Sequence, residues 1–465
     1  MIGGLGRYGR NIVSNAGANA IHSVMQLGLL LVLIRLLDDT NYAAFLIATF
    51  LIGLLEMASD YGARIWATRE FSITDQPQSV LRRSLQCKVF YTLLSACLAA
   101  MVPLNTLPFS AFCLCVLVAG TQPGTDPLLW FLRGKERLDV EAGVVLTFRT
   151  AVVLGMLACA FAGLNLNALL LVWLAGNVGR IAVEYRLPAL QPVRISSAEQ
   201  TAGDRLTAAK TLKYVFPIGT AFVLTALFQR ATVFLLDIWS TPQDVKFYGT
   251  AFKVVSTSGF IATSVFVSSF AMLARAIEAN NLEDIKLVIR RKLVLVTIVF
   301  LPVCIVGITC AVPLAGLFQS RDFSDIARVT VLLMPALYLS CINMGLKYTL
   351  NAFELNWHDV GAVSIGMAVL CGSTVFHGSL SWCEAAAMGW GLGEASLLIV
   401  RMGLLWKHKK HRGVPVGVIF GSTATLMLII AVSYPGWAVS PLESSGSVLS
   451  TKDVPSSNAQ LPTTN

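Results

Sequence analysis

The chain has 465 residues, of which 55% are hydrophobic and only 13% are charged, and its mean hydropathy is +0.69. A soluble protein carries about 25% charged residues, so this composition excludes an ordinary soluble enzyme. Apolar segments of about 20 residues, long enough to cross a bilayer, recur from one end of the sequence to the other. The sequence therefore predicts an all-α polytopic membrane protein. The net charge of +9 is better explained by membrane topology than by nucleic-acid binding, and we expect no nucleic-acid partner.

The apolar pattern predicts thirteen membrane-spanning helices, and a polar connection separates the first six from the next six. We expect them over residues 12–37, 43–64, 85–105, 108–131, 142–163, 166–187, 213–237, 247–274, 293–318, 326–350, 360–378, 385–406 and 416–434. The predicted organisation is an N-terminal six-helix bundle (1–187), a cytoplasmic linker (188–212), a C-terminal six-helix bundle (213–413), an additional transmembrane helix (414–439) and a disordered tail (440–465).

The positions of the lysines and arginines predict the orientation. With a cytoplasmic N-terminus, most of the 35 Lys and Arg residues fall in segments that face the cytoplasm, as the positive-inside rule requires. These inward residues include Lys88, Lys347, Arg401 and the run 290–292, whereas Lys246 lies on the outward side. We therefore expect a multi-pass protein of the inner (plasma) membrane. Its outward loops are too short to house an active site.

The first predicted helix carries a stripe of polar residues. Asn11, Asn15, Asn19, His22 and Gln26 are spaced by four, four, three and four residues, which places them within roughly 80° of one another on a helix. Such a stripe either joins neighbouring helices through hydrogen bonds or lines a water-filled cavity. We interpret the last four of these residues as part of a substrate cleft.

The second predicted helix is acidic on one face. Glu56 falls roughly 20 Å into the membrane, where a carboxyl group could stay protonated, pair with a buried base or exchange a coupling ion. Asp60 is four residues before Arg64 and could form a local ion pair with it. Glu394, in a glycine-rich part of the twelfth helix, is a further acid in an apolar segment. We take Glu56, Asp60 and Glu394 as candidates for ion coupling.

Three basic residues fall within predicted helices, namely Arg149, Arg230 and Lys253. Lys253 shares its helical face with Ser256 and Thr257, which predicts a basic, hydroxylated cavity wall. Guanidinium and ammonium groups could neutralise an anionic substrate such as a phosphate. The alternative is that these long side chains extend to the nearest membrane interface.

The sequence contains no motif that predicts catalysis. There is no Walker loop, no nucleophile elbow and no His-Glu-x-x-His zinc motif. We therefore expect a protein that is not an enzyme, with no catalytic residue, no metal site and no cofactor, and with a proton or sodium ion as the candidate coupling ion.

Several short motifs resemble a known family. They are the Asn-bearing first helix, Arg-Leu-Leu-Asp-Asp at 35–39, Tyr-Ala-Ala-Phe at 42–45, Ser-Asp-Tyr-Gly-Ala-Arg at 59–64 and Leu-Asn-Ala-Phe-Glu at 350–354. Over residues 8–413 the chain resembles the bacterial oligosaccharide-lipid flippases, the O-antigen and exopolysaccharide branch of the multidrug/oligosaccharidyl-lipid/polysaccharide exporter superfamily. The resemblance implies two six-helix bundles around a central cleft lined mainly by helices 1, 2, 7 and 8. A thirteenth helix departs from the twelve- or fourteen-helix pattern of the family.

The resemblance also implies a function and partners. The substrate would be an undecaprenyl-pyrophosphate-linked oligosaccharide, carried from the cytoplasmic to the outer leaflet by alternating access during surface lipopolysaccharide or exopolysaccharide synthesis. The partners would be this lipid-linked oligosaccharide, membrane lipids, and the polysaccharide polymerase and chain-length machinery. Two alternatives stay open: a multidrug or cation exporter of the same superfamily, and a membrane glycan polymerase or ligase.

Overall fold

The computed structural model describes residues 2–73, 77–135, 137–187, 203–259, 281–317, 321–353, 355–376, 380–407 and 416–433, together with residues 262, 266, 273, 277 and 378. The described residues form helices and no strand. The helices are α1 (Ile2–Leu36), α2 (Asp39–Asp60), α3 (Ala63–Ile73), α4 (Pro77–Ala99), α5 (Phe109–Gly120), α6 (Gln122–Gly134), α7 (Leu138–Phe161), α8 (Leu166–Glu184), α9 (Gly203–Trp239), α10 (Pro242–Thr257), α11 (Leu282–Leu317), α12 (Arg321–Ala352), α13 (Asn356–Val375), α14 (Trp382–Lys407) and α15 (Val416–Ser433).

The predicted all-α polytopic fold is confirmed. Within the described residues, nine helices are long and apolar enough to cross a membrane, judged by length and composition. We call α1–α8 the N-terminal half and α9–α14 the C-terminal half. The helix α15 corresponds to the predicted thirteenth helix and packs against α11 and α12. The helix α9 begins at Gly203 rather than at residue 213. Residues 188–202 of the predicted linker and the whole predicted tail lie outside the described residues.

The second predicted span ends earlier than the sequence indicated. It was expected to run to residue 64, but α2 ends at Asp60 because Tyr61 adopts a left-handed conformation with φ 35° and Gly62 follows with φ 73°. Glycine tolerates this conformation, which a side chain at that position would strain. The hydroxyl of Tyr61 hydrogen-bonds with Thr220 at 2.7 Å, so the turn is also held by the C-terminal half. The short helix α3 follows this turn as a separate element.

The fourth predicted span is interrupted in its middle. Residues 108–131 were expected to form one helix, but α5 ends at Gly120 and α6 starts at Gln122. Pro123 and Pro127 lack the backbone N–H that an uninterrupted helix needs. This interruption brings polar groups at residues 121 and 122 into the interior of the N-terminal half.

The helix α2 is the element that both halves share. It packs against α4 and α5 in the N-terminal half and against α9 and α10 in the C-terminal half. Its residues Ala43, Ile47 and Ile52 are completely buried. Substitutions on α2 therefore alter the packing of both halves.

Polar contacts join the two halves at the end of the molecule that holds Asp39, which we call the Asp39 end. The ammonium of the buried Lys246 lies 2.6 Å from Oδ1 of Asp39 and 2.7 Å from Oδ2 of Asp322. Nearby, the hydroxyls of Tyr42 and Thr250 are 2.9 Å apart. The preceding turn is capped by Asp38, whose pKa is lowered chiefly by a hydrogen bond from the side chain of Asn41.

A second anchor at the Asp39 end is a carboxylate of α9. Both oxygens of Asp237 accept backbone N–H groups from the α4–α5 loop, from Asn105 at 2.9 Å and from Thr106 at 3.1 Å. Asp237 is buried, so its charge is satisfied by donors from the opposite half. The α4–α5 loop is thus tied to α9 of the opposite half at this end.

Some basic residues that the topology argument assigned to inward segments are buried. Arg401 is 1% exposed, and its Nε donates to Oδ1 of Asp359 at 2.8 Å. Lys347 is 6% exposed and lies over the ring of Phe222, 3.8 Å from its centroid. These side chains help to hold the C-terminal half together. Their place on the inward side of the membrane stays a prediction.

Replacing Lys246 by methionine should weaken the Asp39 end. The variant leaves Asp39 and Asp322 without their shared cation, but both carboxylates are partly exposed, at 51% and 38%. We expect a loss of about 1–2 kcal/mol, between the values for surface and buried ion pairs, seen as a lower midpoint of thermal unfolding in detergent. Lys286→Met is the control, because Lys286 pairs only within its own helix with the exposed Glu283. Equal midpoints for Lys246→Met and Lys286→Met would contradict the prediction.

Candidate functional site

Five ionisable side chains from five helices converge between the two halves, and we call them the central cluster. Its members are His22 (α1), Glu56 (α2), Arg149 (α7), Arg230 (α9) and Lys253 (α10). Glu56 is within electrostatic range of each of the three cations. His22 is within range of Arg149 and Lys253. The sequence predicted each of these residues separately, and the structure brings them together.

Arg230 is held against α2 without a salt bridge. Its Nη1 lies 3.4 Å from the sulfur of Met57 and 3.3 Å from the carbonyl oxygen of Ala226 in its own helix. Its Nη2 lies close to Gly53, where a Cβ atom would be only 3.1 Å away. Sulfur and a neutral carbonyl are weak acceptors compared with a carboxylate. The guanidinium is therefore positioned but its charge is not neutralised by direct contact.

Lys253 is held against the same face of α2. Its ammonium lies 4.6 Å from the ring centroid of Phe50, within the range of a cation–π interaction. The hydroxyls of Ser256 and Thr257 both donate to the backbone carbonyl of Lys253, at 3.4 Å and 2.6 Å. Such bonds back onto the helix compete with its regular pattern, and α10 ends at Thr257. The two hydroxyl residues thus lie beside the predicted cation.

Arg149 is the most exposed cation of the cluster. Its side chain is exposed, although Glu56, Arg180, Arg133 and Asp126 all lie within electrostatic range. It therefore lies at the boundary of the packed helices while its charge still acts on α2. Its role as part of a cleft wall stays a prediction.

Glu56 is paired with an amide rather than with the cations. Its Oε1 accepts a hydrogen bond from Nε2 of Gln122 at 2.7 Å. Gln122 is the first residue of α6, directly after the interruption, and the hydroxyl of the preceding Thr121 accepts from Asn177 at 2.9 Å. The interruption of the helix therefore places an amide donor where Glu56 needs one. An amide partner can hydrogen-bond to a carboxyl group in either protonation state.

The charges of the central cluster do not balance. It holds three cations and one carboxylate, and among the described residues no carboxylate lies within 4.0 Å of Arg149, Arg230 or Lys253. Cations without a carboxylate in direct contact attract anions. The arrangement is chemically suited to a phosphate-bearing ligand.

Asp60 belongs to a different group, the carboxylate–lysine triad formed with Lys88 and Asp126. Lys88 is completely buried and forms ion pairs with Asp60 and, at 2.6 Å, with Asp126. Its ammonium also lies 5.5 Å from the ring centroid of Trp130. The predicted ion pair between Asp60 and Arg64 is wrong, because the left-handed turn at Tyr61 separates the two residues. Lys88, which the topology argument assigned to an inward segment, is thus buried beside two acids.

The remaining predicted residues differ in their surroundings. Asn19 and Gln26 are half-buried, and the side chain of Asn15 lies outside the described part of the structure. Glu394 is 2% exposed, and its Oε2 accepts from Asn343 at 2.7 Å inside the C-terminal half. The structure thus does not bring Glu394 into the central cluster, and its role in coupling stays a prediction.

The sequence analysis missed Lys88, Gln122 and Asp126 as functional candidates. The segment 122–127 reads Gln-Pro-Gly-Thr-Asp-Pro, with two prolines and three polar residues inside an apolar span. Prolines within a predicted membrane helix signal a break, and breaks in such helices expose polar backbone and side chains to functional cavities. That signal could have identified Gln122 and Asp126. Nothing local to Lys88 distinguished it from a topology-determining lysine.

Solved structures of three transporters share the fold of this chain. The lipid II flippase MurJ in an inward closed conformation matches with a TM-score of 0.64 and 12% identity, over 90% of this chain and 92% of that one. A variant of the Vibrio cholerae MATE transporter VcmN matches with a TM-score of 0.60 and 13% identity, over 87% and 98%. The eukaryotic MATE transporter AtDTX14 matches with a TM-score of 0.56 and 13% identity, over 90% and 99%. No protein-family profile and no curated protein sequence matches the chain.

These likenesses establish the fold. The chain shares the fold of MurJ and of these two MATE transporters. Its place in the multidrug/oligosaccharidyl-lipid/polysaccharide exporter superfamily, and the expectation that it is not an enzyme, stay predictions. The likenesses do not identify a substrate, so the substrate has to be argued from the residues of the site.

Replacing Lys88 by methionine should strongly destabilise the N-terminal half. The change leaves the carboxylates of Asp60 and Asp126 without their cation in a site where they are only 24% and 19% exposed. Removing one partner of a buried ion pair costs about 3–5 kcal/mol. We expect little monodisperse protein after extraction in mild detergent, measured by size-exclusion chromatography. The triple variant K88M/D60N/D126N, which removes all three charges, should recover most of it. A stable single variant or no recovery in the triple variant would contradict the triad.

Proposed function

We propose that this protein is a flippase that moves an undecaprenyl-pyrophosphate-linked oligosaccharide from the cytoplasmic to the outer leaflet of the inner membrane during synthesis of a surface polysaccharide. The pyrophosphate would meet the cations of the central cluster while the sugars occupy the space between the halves and the lipid chain stays in the bilayer. Rocking of the two halves about α2 would change the side from which the cluster is accessible. The polysaccharide polymerase and chain-length proteins would then act on the product.

The observation that carries this proposal is the excess of cations in the central cluster. Arg149, Arg230 and Lys253 have no described carboxylate in direct contact, and Glu56 is turned toward Gln122. A pyrophosphate carries the charge that this site lacks, and planar guanidinium groups match phosphate oxygens. The fold, shared with a lipid II flippase and with MATE transporters, is compatible with such a substrate.

The multidrug or cation exporter is the alternative that the fold favours equally, since MATE transporters are among its neighbours. It requires acidic groups that are free to bind a cation. In the described part of the chain, Asp60 and Asp126 are bound to Lys88, which leaves Glu56 as the acid of the cluster that a cation could meet. Three cations surround this one carboxylate, and this excess of positive charge favours the anionic substrate. A glycan polymerase or ligase has no feature of the described site in its favour.

Glu56 is the stronger candidate for ion coupling within this proposal. Its amide partner can stay hydrogen-bonded whether the carboxyl group is charged or neutral. Asp60 is held by Lys88 and is better suited to a structural role. A proton or a sodium ion could be the coupling ion, and Glu56 would respond to either.

The proposal is tested by deleting the gene and examining surface polysaccharide together with the sidedness of lipid-linked glycans in the inner membrane. Loss of polymer with complete repeat units trapped on the cytoplasmic face is the expected result. Normal polysaccharide with increased sensitivity to cationic dyes would overturn the proposal in favour of drug export. Unpolymerised repeat units on the outer face would instead indicate a polymerase or ligase.

Neutralising single cations of the cluster should reduce complementation of the deletion strain. Each of Arg149→Gln, Arg230→Gln and Lys253→Gln removes one charged hydrogen-bond donor, and a bond to a charged group contributes about 1.5–3 kcal/mol, or about tenfold or more in affinity. We expect about a tenfold fall in the rate of polysaccharide synthesis at equal membrane levels of protein. Lys286→Gln, at an exposed position, should behave as wild type. Unchanged synthesis in all three cluster variants would show that the assignment of the site is wrong.

A further inference from the structure

Arg230 lies in a recess that exists because residue 53 has no side chain. A Cβ atom on Gly53 would lie 3.1 Å from Nη2, 3.5 Å from Nε and 3.7 Å from Cζ of Arg230. All three atoms belong to the guanidinium, so this group lies directly against the backbone of α2. Gly53 is in the N-terminal half and Arg230 is in the C-terminal half. The recess therefore receives a cation from the opposite half.

Two further atoms contact the guanidinium of Arg230. Nη1 lies 3.4 Å from the sulfur of Met57 and 3.3 Å from the carbonyl oxygen of Ala226. Met57 is four residues after Gly53, so both lie on the same face of α2. Both contacts are made by Nη1, and both acceptors are weak. A charged acceptor such as a phosphate oxygen would bind the guanidinium more strongly than either of them.

This arrangement is specific to position 53. Among the described glycines, Gly53 alone would bring an added Cβ atom against a charged side chain. Gly249 and Gly307 face Leu46 and Met334, as expected for close helix packing, and Gly28 has nothing within 4 Å. Helix packing by itself explains a glycine opposite an apolar neighbour. It does not explain a glycine opposite a guanidinium.

We propose that Gly53 is a positioning residue for Arg230, and that its recess sets the place at which the guanidinium meets a phosphate group of the substrate. The inference rests on the proposed function, because it assumes that Arg230 binds an anion. It adds that α2 determines the orientation of a cation supplied by the C-terminal half, because residue 53 has no side chain and leaves room for the guanidinium. Substrate specificity at this site then depends on a residue with no functional group.

A methyl group at position 53 would displace the guanidinium without requiring a change of fold. A distance of 3.1 Å is tighter than most contacts of a Cβ atom, so the neighbour must move by a few tenths of an ångström. The neighbour is the flexible end of a long side chain, which can give way. The expected effect is therefore on anion binding rather than on folding.

The test measures binding of farnesyl pyrophosphate, a soluble prenyl pyrophosphate, to the purified full-length protein in detergent. Gly53→Ala should weaken binding about tenfold, the order expected when one charged hydrogen bond is misaligned. Gly28→Ala is the matched control, since an added methyl group meets nothing there. It should bind as wild type.

The double variant G53A/R230K separates positioning from packing. Lysine has no planar group to lie in the recess, so Gly53→Ala should change binding less than about twofold in the Arg230→Lys background, well within the scatter of additive effects. An equal loss in both backgrounds would overturn the proposal, because Gly53 would then act only through helix packing. If Gly53→Ala fails to accumulate, the effect of Met57→Leu on binding is compared in the wild-type and Arg230→Lys backgrounds instead. Met57→Leu removes the sulfur that contacts Nη1 at nearly constant volume.

Binding by the Arg230→Gln variant shows whether the proposed function fails or only the role of Gly53. Arg230→Gln should itself weaken farnesyl pyrophosphate binding. If it does so while Gly53→Ala binds as wild type, the recess has no positioning role, although the anion site stands. If Arg230→Gln binds as wild type, the anion site and the role of Gly53 are both wrong.

Discussion

A charge that is carried into the hydrocarbon region must find an opposite charge, a hydrogen-bond partner or water, and this requirement organises the structure. Most ionised groups in the two halves meet it locally. Lys88 binds two carboxylates in the N-terminal half, and Arg401 binds Asp359 in the C-terminal half. The central cluster differs, because Lys253 touches a ring and Arg230 touches a sulfur and a carbonyl oxygen instead of carboxylates. The cluster is a candidate binding site because its cations lack a carboxylate partner.

The helix α2 connects this site to the rest of the molecule. One face offers Phe50, Gly53 and Met57 to the cations of the C-terminal half, while Glu56 and Asp60 face partners in the N-terminal half. Its first residue, Asp39, joins the two halves through Lys246, and Tyr61, just after its end, joins them through Thr220. A movement of one half against the other must therefore change contacts along the whole length of α2. In the proposed mechanism, substrate binding at the cluster would be coupled to closure of the two ends through this helix.

Hydropathy and spacing predicted the helical architecture and five members of the cluster, because both depend on patterns within single segments. The failures came where the outcome depends on partners far away in the sequence. Lys88 and Arg401 look like surface lysines and arginines until Asp126 and Asp359 are placed beside them. The turn at Tyr61 and the break at Gln122 separate residues that helical periodicity had joined. Gly53 was part of a predicted polar face, but only the position of Arg230 gives it a role.

The central claim is that the cleft selects an anionic lipid, and the most direct test is transport by purified protein in liposomes. The liposomes would contain either a fluorescent prenyl pyrophosphate or a fluorescent lipid with the same chain and a quaternary ammonium group. A quencher that cannot cross the membrane reports which molecules have reached the outer leaflet. The account predicts that the protein makes the inner-leaflet pool of the pyrophosphate lipid accessible and leaves that of the ammonium lipid protected. Translocation of the ammonium lipid alone would contradict it.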